Sequence, residues 1–314
     1  MFFEGSEKKV ELVMCNDSVS LRSLGTDFWA NIVAQCEAEI LSSISNEKCD
    51  AYLLSESSLF VWDHHFLMLT CGTTTLVNSL NAFLNHFEEN NGSQFEQIQS
   101  ITFQRKNEYQ SHLQKTSFEQ DINQLQKRLS GVAFQLGNLD SHHNYIYHLD
   151  RPYTPHQEDK TFELLMYHID GEAADYLRTE QQCATKIRTL LNLEQLLPGF
   201  VINDYVFEPF GYSMNAIAGD KYATMHITPQ EQSSYVSFET NLDINQHQVN
   251  IFTHLVQLLN PCSFDIISFN AEVHIESHHS LMNQVEQPLS CGYTMRFKEY
   301  MRQQKQSFAS QIIL

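Results

Sequence analysis

Positive charge is scarce in this chain: 19 Lys and Arg stand against 38 Asp and Glu over 314 residues, a formal charge of −19. A surface of that sign repels phosphate backbones, so nucleic acid is not the expected partner, whereas cations such as polyamines suit it. Motifs that announce a site are scarce as well. There is no glycine-rich phosphate loop and no metal-ligand spacing. The seven cysteines, at 15, 36, 49, 71, 183, 262 and 291, are odd in number, scattered and without a Cys-x-x-Cys pair. Neither a disulfide framework nor a zinc site is expected from them; they read as reduced thiols of a cytoplasmic protein. The first residues lack the basic and apolar regions of a signal peptide. No apolar run approaches the roughly 18 residues of a membrane span, so no membrane partner is expected.

What the chain does have is patterned apolar residues, 42% of the total, enough to bury the core of one large domain or two average ones. Residues 2–14 alternate after Gly5 as a strand does, with Val10, Leu12 and Met14 on one face. Phe28, Trp29, Ile32, Val33, Cys36, Ile40 and Leu41 recur at helical spacing. A helix opening at Thr74 or Thr75 turns Leu76, Val77, Leu80, Phe83, Leu84 and Phe87 inward. Strands are expected at 100–103, 132–136 and 145–149, with a helix near 118–129. Two prolines within 150–155 break the pattern and mark a boundary between halves of about 1–150 and 156–314. The second half repeats the plan: a helix over 184–197, a strand from Phe200, a hairpin of 210–217 and 222–228, a strand over 234–240 and a further helix. That last helix turns Val249, Phe252, Leu255, Val256 and Leu259 inward.

Two hairpins carry candidate chemistry. Residues 51–62 and 66–71 form the first, around Asp63-His64-His65. A three-residue loop centred on His64 sets Ser57 opposite Cys71, a hydroxyl against a thiol. A loop of His64-His65 alone sets Ser57 opposite Gly72 instead. In the second hairpin Gly219-Asp220 suits a two-residue loop and pairs Ser213 with His226. Each half would then hold a hydroxyl against a proton-handling side chain.

The stretch Leu54-Ser55-Glu56-Ser57-Ser58-Leu59-Phe60-Val61-Trp62, with Leu69-Thr70-Cys71-Gly72-Thr73-Thr74, resembles the processing site of the eukaryotic-type S-adenosylmethionine decarboxylases, which are pyruvoyl enzymes. Four further segments agree in the same order. They are Phe2-Phe3-Glu4-Gly5-Ser6-Glu7-Lys8, Leu197-Pro198-Gly199, Gly211-Tyr212-Ser213-Met214-Asn215, and His226-Ile227-Thr228-Pro229 with Ser234-Tyr235-Val236-Ser237-Phe238-Glu239-Thr240.

The resemblance implies an α+β fold, a four-layer α/β/β/α sandwich of two antiparallel sheets built from two similar halves. It also implies self-cleavage between Glu56 and Ser57, giving a β chain of 1–56 that stays bound to an α chain of 57–314. Ser57 would become a pyruvoyl group, the covalent cofactor whose carbonyl forms a Schiff base with the substrate amine and draws off the electron pair left by decarboxylation. Ser213 and His226 match residues that serve processing, and Cys71 matches the general acid that returns a proton to the α-carbon. A thiol suits that task, being mostly protonated at neutral pH. Phe3 and Phe207 match rings that sandwich adenine, and Glu4 and Glu7 match acidic residues of the substrate site. The implied reaction removes carbon dioxide from S-adenosylmethionine, making the aminopropyl donor for spermidine and spermine. A homodimer and a putrescine effector are further partners the resemblance brings in.

Two positions depart from the family pattern. Gln230 stands four residues after the histidine, where a glutamate accepts both ribose hydroxyls, and Glu231 follows it. An amide cannot accept two hydroxyls as a carboxylate does, so altered nucleoside binding is expected. Leu69 stands where animal members have a lysine of a charged cluster tied to putrescine stimulation. Glu7, Glu11, Asp150 and Glu239 match acidic members of that cluster, and Lys9 offers a substitute charge. Two other readings remain at this point: a regulatory paralogue that binds an active decarboxylase, and a pyruvoyl decarboxylase of another amino acid.

Overall fold

The structure, a computed structural model, describes residues 7–90, 94–106, 108–231 and 233–303. Two eight-stranded antiparallel sheets dominate it. The first holds β1 (Lys8–Met14), β2 (Ile40–Ser45), β3 (Asp50–Leu54), β4 (Ser57–Val61), β5 (His65–Thr70), β6 (Ile98–Lys106), β7 (Gly131–Gly137) and β8 (His143–Leu149). The second holds β9 (Thr161–Tyr167), β10 (Val201–Val206), β11 (Tyr212–Ala218), β12 (Lys221–Thr228), β13 (Tyr235–Thr240), β14 (Ser263–Phe269), β15 (His279–Pro288) and β16 (Thr294–Arg302). Strand order across the first sheet is β2-β3-β4-β5-β1-β6-β8-β7, and across the second β10-β11-β12-β13-β9-β14-β16-β15. Adding eight to each strand number of the first order gives the second, so the halves are topological copies.

Alternation within the strands explains the layering. In β1, Val10, Leu12 and Met14 point outward and meet Trp29, Ile32 and Val33 of α1 (Gly25–Ala34) and Leu80, Phe83 and Leu84 of α2 (Leu76–Asn90), all fully buried or nearly so. Phe162, Leu164 and Met166 of β9 do the same in the second half against Phe252, Leu255 and Leu259. Each such side chain contributes about 1.5–3 kcal/mol by leaving water, so the two helix-covered outer faces hold most of the core. The inner faces are mixed. Apolar clusters around Phe60, Trp62 and Tyr222 at one side and Tyr167, Tyr235 and Phe297 at the other flank a belt of charge.

Several sequence expectations change here. The apolar spacing through Ile40 and Leu41 is not one helix: α1 stops at Ala34, Glu37 turns the chain with φ of 67°, and Ile40 opens edge strand β2. The helix expected over 184–197 is broken in two by Asn192, at φ 56°. Residues 51–62 are not one arm of a hairpin either, because the chain reverses at Ser55-Glu56 and pairs Leu54 with Ser57. By strand order the counterpart of the β11–β12 hairpin is therefore β3–β4, not the β4–β5 hairpin with which it was matched from sequence. Among the described residues no helix is long and apolar enough to cross a membrane, and none of the seven cysteines is in a disulfide.

Candidate active site

The β4–β5 loop sets the register on which the site depends. Trp62 donates its backbone N–H to His65 O at 2.9 Å, and the two rings stack with centroids 4.1 Å apart at 9°. The loop is thus Asp63-His64, ending one residue earlier than either loop weighed from sequence, and Ser57 lies opposite Thr70 rather than Cys71 or Gly72. Cys71 moves across from Glu56. Its N–H donates to the Glu56 carbonyl at 2.9 Å, and its Sγ sits 3.4 Å from the same oxygen and 3.7 Å from Glu56 Oε2. The thiol accordingly faces the carbonyl side of the Glu56–Ser57 bond.

Ser57 itself is buried, its hydroxyl has no hydrogen-bond partner among the described residues, and its φ is 129°. A non-glycine residue held there stores of order 1–3 kcal/mol of strain. Lys8 and Gln114 anchor the far side of the turn, donating to Gly72 O at 2.9 and 3.2 Å.

On the second sheet Ser213 and His226 are direct cross-strand partners, as the Gly-Asp loop predicts. His226 Nδ1 lies 2.8 Å from Ser213 Oγ; Nε2 lies 2.9 Å from Thr224 Oγ1 and 3.1 Å from Ser58 Oγ of the first sheet. Ser57, Glu56, Cys71, Ser213, His226, Phe207 and Gln230 all line one cavity of about 470 Å³ between the sheets. Glu208, which sequence reasoning did not single out, adds an exposed carboxylate to its wall. Glu231 is exposed and is not on that wall. Phe3 and Glu4 lie outside the described residues.

Burial governs the titrating groups. It pushes the imidazole of His226 down to about 4, only partly offset by Glu7, so the ring is neutral near pH 7 with a lone pair to offer. It pushes the Cys71 thiol well above its usual value, reinforced by Glu56 and Glu7 and opposed by Lys8, so the proton stays on sulfur. Glu7 is not on the cavity wall; its carboxylate takes Ser237 Oγ at 2.8 Å and Lys106 Nζ at 3.1 Å.

Glu7 begins the belt. Lys9 sits 2.7 Å from Glu163 and 2.9 Å from Glu239, and Lys106 lies 2.9 Å from Glu163. Burial alone would lower both lysines, but these carboxylates outweigh it and raise them; burial alone would raise Glu163, but Lys106 and Lys9 outweigh it and bring it down to about 2. Asp150 does not join them: it is exposed and accepts from Ser290. Asp159 is the member sequence reasoning missed; its charge helps to raise Glu11, and it accepts from Tyr293 Oη at 2.6 Å. Lys106 and Glu163 were missed too, although a lone Glu in the apolar run of β9 was a usable signal.

This architecture has counterparts among known proteins. A family model described as Adenosylmethionine decarboxylase matches residues 1–311. The chain belongs to that family. An S-adenosylmethionine decarboxylase proenzyme of Xenopus laevis is 34% identical over 276 residues, which cover 84% of this chain and 82% of that one. One of Trypanosoma cruzi is 29% identical over 333 residues, covering 96% and 89%. The crystal structure titled as a Trypanosoma brucei AdoMetDC-delta26 monomer shares the fold, with a TM-score of 0.59 at 21% identity over 78% of this chain and 99% of that one. Membership in the decarboxylase family agrees with the sandwich and with the assembly of the motif residues on one cavity.

Proposed function

We propose that the chain is a proenzyme that cuts itself between Glu56 and Ser57 and then removes carbon dioxide from S-adenosylmethionine, making the aminopropyl donor of polyamine synthesis. The observation that carries this reading is the Glu56 carbonyl, hydrogen-bonded by Cys71 beside a strained serine whose hydroxyl is buried and has no partner among the described residues. Ser57 Oγ bonds to the Glu56 carbonyl carbon as the peptide C–N bond breaks, and the hydroxyl proton passes to the freed amine. The neutral His226 takes the Ser57 Cα proton; that electron pair forms a carbon–carbon double bond while the Cβ–O bond breaks and Glu56 leaves as a carboxylate. One water enters and one ammonia departs. A chain of 57–314 then begins with a pyruvoyl group, which supplies the electron-withdrawing carbonyl that decarboxylation needs. The buried hydroxyl and the polarised carbonyl beside it fit that origin.

The remaining residues bind and move protons. Cys71 keeps its proton at neutral pH and gives it to the substrate α-carbon after carbon dioxide leaves. Phe207 offers a ring to adenine, its backbone N–H fixed on Gly211 O at 2.9 Å. The carboxylates of Glu56 and Glu208 on the wall favour a sulfonium cation. Gln230 lines the cavity just beyond the end of the His226 strand, and it makes one good ribose contact where a carboxylate would make two. Gln230→Glu is therefore expected to lower the Michaelis constant for S-adenosylmethionine by somewhat under tenfold, on the order of 1 kcal/mol, with cleavage unchanged. A wild type that releases no carbon dioxide from this substrate, yet cleaves, would point instead to another amino acid.

Putrescine is proposed to have no effect on this chain. The gap among Glu11, Asp159's partner Tyr293 and Phe269 is about 10 Å³, room for no more than about one water. Lys9 already neutralises the neighbouring carboxylates, and burial raises Glu11 to about 8, so that it holds a proton at neutral pH. Initial rates with and without putrescine should coincide; a severalfold rise would show that the belt opens to admit a diamine.

A further inference from the structure

Three polar side chains from three strands, Asn215, Ser58 and Thr224, meet behind His226, and their donors and acceptors can be counted. Asn215 is fully buried; it lies across from Thr224 in the sheet, two pairs along from Ser213 and His226 and so on the same face. Its Nδ2 donates to the Tyr52 carbonyl at 3.0 Å, which only accepts, so the amide oxygen must face the other way. That oxygen lies 2.6 Å from Ser58 Oγ and also only accepts. The single hydrogen of Ser58 is thereby committed to Asn215, and Ser58 can only accept from its other two neighbours, Thr224 Oγ1 at 3.1 Å and His226 Nε2 at 3.1 Å.

We infer that Asn215, acting through Ser58 and Thr224, fixes His226 in the tautomer with hydrogen on Nε2, and so turns the Nδ1 lone pair toward Ser213. With Nε2 protonated, its N–H is accepted by Thr224 and Ser58, Thr224 gives its own hydrogen to Ser58, and Ser213 donates to Nδ1. No contact is then without a hydrogen, that of Nε2 being shared between Thr224 and Ser58. With Nε2 bare, Thr224 must donate to it, and two oxygen or nitrogen lone pairs confront Ser58 at 3.1 Å in a site that excludes water. Each such unsatisfied buried group is costly, so the Nε2–H form prevails. Asn215, Ser58 and Thr224 are positioning residues in this account. The inference rests on the self-cleavage reading for its purpose, since only the Nε2–H tautomer leaves a basic nitrogen on the Ser213 side, but the tautomer itself can be tested apart from cleavage.

The experiment is ¹⁵N NMR of the full chain labelled at histidine, carrying Ser57→Ala so that it stays in one piece, with the His226 signals assigned by their loss in His226→Gln. A pyrrole-type Nε2 and a pyridine-type Nδ1 between pH 6 and 8 are expected. A pyrrole-type Nδ1 overturns the inference. Asn215→Leu in the same background frees the Ser58 hydrogen to reach Nε2 and should bring in the other tautomer; the same substitution in the cleaving chain should slow self-cleavage about tenfold or more. Unaltered spectra together with an unaltered cleavage rate in Asn215→Leu would also overturn it. A wild type that never cleaves defeats the functional reading instead, and leaves the spectrum of His226 to stand or fall separately.

Discussion

Ser57→Ala is expected to leave a single chain of 36.4 kDa with no carbonyl reactivity and no decarboxylase activity. The expectation follows from the local chemistry. The Glu56 carbonyl is held by the Cys71 N–H, the peptide bond is joined to a serine at φ 129°, and the hydroxyl that would attack has no competing partner among the described residues. Alanine keeps the fold, because among the described residues the side chain makes no hydrogen bond that the fold would lose, yet it removes the hydroxyl that attacks the scissile carbonyl. The loss should be complete in both cleavage and turnover. Denaturing electrophoresis of freshly made protein measures it, and a Ser57→Ala chain that still divides would move the cut to another residue.

Cys71→Ala should separate the two activities. The backbone N–H that contacts the Glu56 carbonyl survives the substitution, so the chain should still divide, though the loss of the thiol near that oxygen is expected to slow it. Decarboxylation should fall about a hundredfold to ten-thousandfold, the usual contribution of a positioned general acid. Burial and the neighbouring carboxylates of Glu56 and Glu7 raise the thiol, while Lys8 restrains the rise, so the proton stays on sulfur through neutral pH. Carbon dioxide release per cleaved chain is the quantity to compare. A rate equal to the wild type would place the proton donor elsewhere, and Cys71 would then matter for the carbonyl alone.

Much of the fold was legible because local chemistry agreed with tertiary packing. The apolar stripe of α2 and the Gly-Asp loop of β11–β12 each had one consistent solution, and the latter delivered the Ser213–His226 pair without any knowledge of the rest. The β4–β5 loop was harder. Asp63-His64-His65 permits more than one turn, and the stacking of Trp62 on His65 that selects Asp63-His64 cannot be read from residue order. A shift of one residue then moved Cys71 from Ser57 to Glu56. The reversal at Ser55-Glu56 was hidden for a different reason: strand-favouring residues on both sides read as one long strand, and neither glycine nor proline marks the turn.

The charged belt was half legible. Lys9 and Glu11 alternate with Val10 and Leu12, a pattern that ordinarily signals a solvent face. Here a second sheet covers that face, and Lys9 finds partners more than a hundred residues away, at Glu163 and Glu239. Asp150 and Asp159 are equally acidic in sequence; only the loop after β8, which leaves the first exposed and folds the second onto Tyr293, tells them apart.

Intact mass of the purified wild-type protein, taken under denaturing conditions, tests the central claim most directly. Two masses are predicted: one for residues 1–56 ending in a free carboxylate, the other for residues 57–314 lighter by one ammonia than its sequence requires, as a pyruvoyl terminus demands. A single mass equal to the whole uncut sequence would contradict the account.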